Sequence, residues 1–300
     1  MPSAATIQHT AVTMPTAAPK QHARIRQAAA QFPPITLGEM DSVKLLNRID
    51  TKYLTTEAIL LEVLADALKA GYRALETPGP TAAQNPDTTA AQAPDASTTK
   101  LSPYNSVYYD TPGLKTFLDH HNKRLTRQKV RTRVYVNSGD TFLEIKRKNN
   151  HGRTKKKRTS IATNELMDFS TNAAATAYLA KHSMFTAEEL SPALSTAFER
   201  ITLVNPDMTE RLTIDTALKF ENFRTGKQTD LSDAVIIELK QDGRAESQMK
   251  GILLNRRVKP LRVSKYCVGI TLTDRSIKSN RFKEKVRAIE KIINKKIQVI

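Results

Sequence analysis

Three hundred residues, 39% of them apolar, allow one large domain or two small ones, with enough chain for a sizeable core. A formal charge of +17 argues for an anionic partner. The single cysteine, Cys267, excludes an intrachain disulfide and a cysteine-based zinc cluster, and no run approaches the roughly 18 apolar residues of a membrane-spanning helix.

In chain order, residues 1–34 are nearly devoid of large apolar side chains and read as a disordered leader. This leader lacks the basic-then-apolar pattern of a secretory signal. Being acid-poor, with Lys20, Arg24 and Arg26, it is compatible with a transit peptide, but the working assignment is a cytoplasmic protein. "NRIDTKYL" follows with strand alternation, placing Arg48, Asp50 and Lys52 on one face and Ile49, Thr51 and Tyr53 on the other. Thr56–Gly71 has helical spacing. Residues 77–100 contain no Ile, Leu, Val, Phe or Tyr and read as a disordered insertion loop within a domain spanning 35–275. Tyr108 and Tyr109 straddle two faces of the next strand, and core packing is expected for at least one of them. A short helix over Leu114–Asn122 ends in His120 and His121, read as a solvated pair facing the helix dipole.

The segment 127–148 is a hairpin. Lys129, Arg131, Arg133 and Tyr135 share one parity, Asn137–Asp140 form the turn, and Phe142, Glu144, Lys146 and Lys148 repeat the scheme. "KKKR" is basic at both parities, and Lys156 with Arg158 is the favoured inward set. Between Lys123 and Arg158 there are 14 Lys and Arg against two carboxylates, so the positive charge is focused. Helical spacing is read over Asn164–His182. Three further strands carry the same two unlike faces: Phe198 with Arg200; Arg211, Thr213 and Asp215; and Ile236, Glu238 and Lys240. Residues 276–300 read as an amphipathic basic helix with Phe282, Val286, Ile289 and Ile293 at helical spacing.

Two arrangements fit such strands. An antiparallel sheet could show its charged face to water. Alternatively the sheet could close on itself so that the charged face lies inside and helices cover the apolar outside. The E-x-K and D-x-K spacings and the available amphipathic helices favour the second: an α+β fold with an antiparallel β-barrel or tunnel of about eight strands and a basic interior, flanked by helices. Such an interior must stay wet and hold a polyanion, because unpaired buried charge costs several kcal/mol per ion. Phosphate is the natural complement of guanidinium forks and lysine ammoniums. The carboxylates would then serve Mg²⁺ or Mn²⁺ shared with substrate phosphates.

"RIDTKY", "YYDT", "KVRTRVY", "FLEIKRK", "KKKR", "FER", "RLTID", "IIELK" and "RVSKY" occur in this order between residues 48 and 266. Together they resemble the VTC domain, the polyphosphate polymerase branch of the triphosphate tunnel metalloenzymes, over about residues 35–272. The resemblance implies a tunnel that binds ATP or another triphosphate with Mn²⁺ or Mg²⁺ and transfers the terminal phosphate of ATP to a polyphosphate chain. By position, Lys52, Arg131, Arg133, Lys146, Lys156, Arg200, Arg211 and Lys265 match its phosphate-contacting catalytic cations. Arg48, Lys129, Arg158, Lys240 and Arg262 are expected as further substrate contacts, with Arg262 on one helical face with Lys265. Glu238 matches the metal-binding glutamate, and Glu144 is a second metal candidate. Phe198 stands where a tyrosine is common.

The first strand reads Arg48-x-Asp50-x-Lys52, not the E-x-E-x-K of the hydrolytic tunnel enzymes, which favours the polymerase branch. Arg131, Arg133, Lys146 and Arg211 are expected to hold the triphosphate, with Lys156, Arg200 and Lys265 around the transferring group. Two alternatives stay open: a triphosphate or nucleotide phosphohydrolase of the same fold, and a non-catalytic polyphosphate- or nucleotide-binding module. Nucleic-acid binding is disfavoured, because no Trp is present and no aromatic residues interleave the basic positions to form a stacking platform. A protein partner is left open and unidentified.

Overall fold

Alternation becomes strands, and 3.6-residue periodicity becomes the helices that cover them. The computed structural model describes residues 23–40, 48–79, 98–243 and 246–299. The chain begins with α1 (Ala23–Ala30), β1 (Pro34–Ile35), α2 (Leu37–Met40), β2 (Arg48–Thr55), α3 (Glu57–Lys69), β3 (Arg73–Leu75) and β4 (Thr77–Pro78). It continues with β5 (Thr98–Thr99), β6 (Ser102–Asp110), α4 (Lys115–His121), β7 (Arg127–Tyr135), β8 (Thr141–Lys148), β9 (Thr154–Ile161) and α5 (Ala173–His182). It ends with β10 (Ser191–Val204), β11 (Glu210–Asn222), β12 (Gln228–Asp230), β13 (Val235–Asp242), α6 (Gln248–Asn255), α7 (Lys265–Thr273) and α8 (Asn280–Ile293).

Eight strands pair edge to edge in the order β2-β13-β11-β10-β6-β7-β8-β9, each antiparallel to its neighbours. The sheet curls into a half-barrel. Lys146 on β8 lies within electrostatic reach of Glu238 on β13, five steps away along the ladder, which a flat sheet would not allow. The expected α+β fold, an antiparallel tunnel-like sheet with a basic inner face and flanking helices, is therefore present.

The convex face is apolar and covered in two places. Ile201, Leu203, Leu212, Ile214, Ile237 and Leu239 meet α1, α3 and α6 through residues such as Ile25, Leu60, Leu64 and Leu253. Val107, Val130, Leu143 and Ile145 meet α5 through Ala175 and Leu179. Each large apolar side chain buried this way stabilises the fold by roughly 1.5–3 kcal/mol.

A third apolar cluster sits on the concave side. Leu54, Leu194, Leu218, Phe220 and Ile236 receive Tyr266, Cys267 and Ile270 of α7, with Phe117 of α4 and Phe282 of α8 behind. How β11 carries charge at Asp215 and apolar contacts at Leu218 and Phe220 on one face is explained by a bulge. The register passes from Glu199↔Thr216 to Ala197↔Lys219, and Ala217 adopts φ +54°. The extra residue reverses the parity, so even-numbered side chains take over the face that Arg211, Thr213 and Asp215 occupied. Gly269 lets α7 approach closely, since a Cβ there would stand 2.5 Å from Leu194 and 2.8 Å from Phe220.

Three expectations are revised. Residues 23–34, assigned to a disordered leader, contribute α1, with Ile25, Ala29 and Phe32 buried in the core against α3. The helix expected over Asn164–His182 is a 3₁₀ turn at Thr163–Leu166 followed by α5. Asn172 caps α5 by accepting from the Ala175 amide at 3.0 Å, which stops the helix from starting earlier. Helix α7 begins only at Lys265, after the Ser264 cap, so Arg262 precedes the helix and shares no helical face with Lys265. Of the expected insertion, β4 and β5 pair at its two ends, and residues 80–97 lie outside the described residues, as do residues 1–22 of the leader.

Candidate functional site

On the concave face Glu144, Asp215 and Glu238 are each held by two cations, and Asp50 of β2 lies in register with Lys240 on the face of Lys52. Glu144 on β8 accepts from Arg131 Nε at 2.7 Å and pairs with Lys156 of β9. Cross-strand register dictates this, because Arg131 and Arg158 flank Glu144 directly and Lys156 lies one pair along on the same face. Asp215 on β11 takes a bidentate pair from Arg200 at 2.6 and 2.8 Å and a third contact from Lys265 Nζ at 2.6 Å. Glu238 on β13 pairs with its register partner Lys52 and stands 3.6 Å from Lys240.

Desolvation alone would raise the pKa of Glu144, Asp215 and Glu238. The neighbouring cations win. Arg131, Arg133 and Lys156 hold Glu144 well below the usual carboxylate range. Arg200 and Lys265 do so for Asp215, and Lys240 and Lys52 for Glu238. All three are ionised at any working pH.

The cations are strained electrostatically. Burial pulls Lys240 down to about 8, with Glu238 opposing and Arg211 and Arg200 adding repulsion. Burial and the neighbouring Arg131 and Arg200 lower Arg133 to about 10. Desolvation also lowers Lys146, Lys156 and Lys265, despite Glu238, Glu144 and Asp215 respectively. Among the described residues, Lys129, Arg133 and Lys146 make no ion pair with a carboxylate. Lys129 instead donates to Ser264 Oγ at 2.6 Å, and Arg133 to Ser106 Oγ at 2.8 Å.

The predicted positions are thus brought together with three exceptions. Arg262 is exposed outside the helix, near enough to Lys285 to lower its pKa, although burial is the larger cause. Arg48 opens β2 opposite Asp242, and its side chain lies outside the described residues. Arg158 is exposed at the rim, with its guanidinium 4.5 Å from the Phe142 ring centre. Lys156 joins Arg131 at Glu144, while Arg200 and Lys265 share Asp215. Arg211 stands in register with Lys240.

Several contributors escaped the sequence reading. Tyr108 faces inward, and its hydroxyl accepts from Arg131 at 3.1 Å, whereas Tyr109 packs outward and donates to the Leu166 carbonyl. Asp110 of the "YYDT" run is fully buried and organises the entry to α4. It accepts from the Thr116 and Phe117 amides at 2.8 and 3.0 Å and from the Tyr266 hydroxyl at 2.5 Å. His120 and His121 are not a solvated pair. His120 Nδ1 is 3.0 Å from Cys267 Sγ, and burial plus the fields of Lys129 and Arg127 keep its imidazole neutral. His121 is buried, with Nε2 2.8 Å from Asn280 Oδ1.

Among the described residues no group of three or more His, Cys, Asp and Glu is arranged around a common metal position. Glu144, with 2% of its side chain exposed and cations on both oxygens, sits as an internal counter-ion. Glu238, at 17%, is more open to the lumen. This donor set fits a hard divalent ion only where substrate oxygens supply most of the coordination, a mode that suits Mg²⁺ and Mn²⁺.

The family model of the VTC domain matches residues 47–273. Comparison with curated proteins finds no match. Among solved structures, the chain is similar to a candidate adenylyl cyclase from Hippeastrum described as having a dominant triphosphatase activity. The identity is 14%, 75% of this chain and 95% of that one are covered, and the TM-score is 0.44. It is also similar to the PH1819 protein of Pyrococcus horikoshii (12% identity, 73% and 95% covered, TM-score 0.37). A conserved hypothetical protein of Pyrococcus furiosus gives 10% identity, 73% and 99% covered, and a TM-score of 0.37.

Proposed function

The chain belongs to the VTC domain family, and from that premise we propose that it is a metal-dependent phosphotransferase that moves the terminal phosphate of ATP onto a growing polyphosphate chain. The observation that carries this reading is the charge arrangement. Glu144, Asp215 and Glu238 are already matched by Arg131, Lys156, Arg200, Lys265, Lys52 and Lys240, and Asp50 faces Lys240 in register, while Lys129, Arg133 and Lys146 stay without an ion pair among the described residues. A repeating phosphate chain supplies the missing negative charge at several points along a groove.

In this reading Arg131, Arg133 and Lys146 hold nonbridging oxygens of the triphosphate, with Arg211 and Lys240 on the opposite wall. Arg200 and Lys265 stabilise charge on the transferring group. The acceptor is a phosphate oxygen already deprotonated near neutral pH, so the new P–O bond forms without a general base. The bond to ADP breaks with its electron pair left on the β-phosphate. Mn²⁺ or Mg²⁺ held at Glu238 and by substrate oxygens would neutralise charge on the phosphates when bound.

Purified protein incubated with ATP and Mn²⁺, with and without a pyrophosphate primer, is expected to yield a polyphosphate ladder on a gel that Glu238→Ala abolishes. Free phosphate without chains would replace this reading with a phosphohydrolase. Binding without either product would make the tunnel a polyphosphate- or nucleotide-binding module. No helix of the described residues is long and apolar enough to cross a membrane.

A further inference from the structure

An inner wall selected only for phosphate would be uniformly cationic, yet a row of rings crosses it. Phe198 stacks on Tyr104, its register partner, at 5.4 Å and 4°. Tyr104 meets Tyr135 edge-on at 4.9 Å, and Tyr135 meets Phe142 edge-on at 5.6 Å. Arg158 closes the row with its guanidinium over Phe142. The row therefore runs across β10, β6, β7, β8 and β9 at the end of the half-barrel where β7 turns into β8.

Exposure changes along it. Phe198 and Tyr104 are buried beneath Arg133 and Arg200, whereas Tyr135 and Phe142 are half-buried and Arg158 is exposed. Tyr135 still packs against the concave apolar cluster, whereas Phe142 belongs to none of the buried clusters. The guanidinium of Arg158 is already stacked on Phe142 at 4.5 Å, and because that side chain is exposed its outer face, or the ring face when it swings away, is open to a nucleobase.

We propose that Phe142, Tyr135 and Arg158 form a nucleobase platform at this rim, so that a nucleoside triphosphate binds end-on, base at the rim and phosphates inward. The proposal rests on the triphosphate reading above and adds the part of the substrate that the cations do not read. Spacing along β8 suits it. The residues sharing the Phe142 face are Glu144, which carries Arg131 and Lys156, and then Lys146. At about 3.3 Å per residue, Lys146 lies roughly 13 Å inward of Phe142, a reach suited to a ribose followed by a triphosphate.

The chain contains no tryptophan, so Phe142→Trp introduces a single indole emitter at the platform. ATP is expected to quench it by stacking, and inorganic tripolyphosphate to leave it unquenched. In calorimetry, Phe142→Leu is expected to weaken ATP on the order of tenfold while changing tripolyphosphate less than twofold. Equal losses for the two ligands, or an ATP affinity that does not move, would overturn the platform and leave the ring a packing element. A Phe142→Leu loss confined to single-stranded oligo(dA), with ATP unchanged, would overturn the nucleotide assignment. Wild-type protein that binds neither ATP nor tripolyphosphate would remove the parent reading and this one with it. Tripolyphosphate binding without any ATP preference removes this one and keeps the parent.

Discussion

Replacing Asp215 by asparagine removes one negative charge while keeping the side-chain shape. In the wild type that carboxylate takes Arg200 at 2.6 and 2.8 Å and Lys265 at 2.6 Å, with 7% of its side chain exposed. The amide retains one acceptor for Arg200 and turns a donor toward another donor. Arg200 and Lys265, largely shielded from water, are then left uncompensated beside Arg133, whose pKa the Arg200 charge already helps to lower. Breaking a buried ion pair by removing one partner costs about 3–5 kcal/mol. At roughly 2–4 °C per kcal/mol for a domain of this size, the melting temperature should fall by about 10 °C.

A phosphate chain should undo much of that loss, because its oxygens can take the place of the missing carboxylate. Scanning calorimetry at low salt, with and without tripolyphosphate, reads both effects. Saturation at about 100 times Kd stabilises by about 2.7 kcal/mol at fixed affinity. The Asp215→Asn protein should gain more than wild type does at the same ligand concentration, since removing an anion from the wall also tightens binding. A melting temperature within 2 °C of wild type (about 0.5–1 kcal/mol) would refute the claim that Asp215 balances this end of the tunnel. Equal ligand-induced shifts in the two proteins would refute the claim that phosphate occupies the same place.

Proton linkage offers a second check. Lys240 is lowered to about 8, so below that pH it is charged in both folded and unfolded chains and its burial penalty is fully present. Between pH 8 and the ordinary lysine value the folded protein sheds the proton first, and this group's penalty is relieved as pH rises. A bound polyanion restores the charge, so tripolyphosphate binding at pH 9 should take up about one proton from this group and weaken above pH 8. Calorimetry in buffers of different ionisation heat measures the uptake, and proton release would contradict the argument. Packing gives a third prediction. Gly269→Ala would push a methyl to 2.5 Å from Leu194, so it should cost about 1–3 kcal/mol in thermal melts and weaken tripolyphosphate binding through Lys265. Unchanged melting and binding would show that α7 has room to slide.

Much of the site was legible because strands have an exact two-residue period. Once Arg131, Arg133, Glu144, Glu238 and Lys240 are placed by parity, their common face follows without knowledge of the partners. The limits of that logic are local. Ala217 has no sequence mark of a bulge, since the residue is ordinary and its left-handed φ of +54° is imposed by the pairing around it. Without the bulge, Leu218 and Phe220 would be assigned to the wrong face. The aromatic row was hidden for a different reason: Phe198, Tyr104, Tyr135 and Phe142 come from four strands and become neighbours only through register. No linear motif announces the row, and only the register of the folded sheet shows that aromatic rings adjoin the basic positions. Helix α1 was missed because Ile25, Ala29 and Phe32 are isolated in a polar stretch, and only α3 gives them a surface to bury against.

The same physics ties the core to the chemistry through α7. Its apolar residues Tyr266, Val268 and Ile270 are held by the concave cluster, and its first residue is Lys265. The ammonium of Lys265 lies at a helix N-terminus, where the macrodipole repels a cation. It is largely shielded from water, and desolvation holds its pKa well below the usual lysine range. Both unfavourable circumstances persist because Asp215 and the Phe198 ring, 2.9 Å from Nζ to centroid, answer them. A ligand that brings further negative charge relieves the same strain, so the free energy stored in placing Lys265 becomes binding selectivity for polyanions. Loosening α7 in the core would stabilise the lysine by letting it reach water, and would weaken the site for that reason.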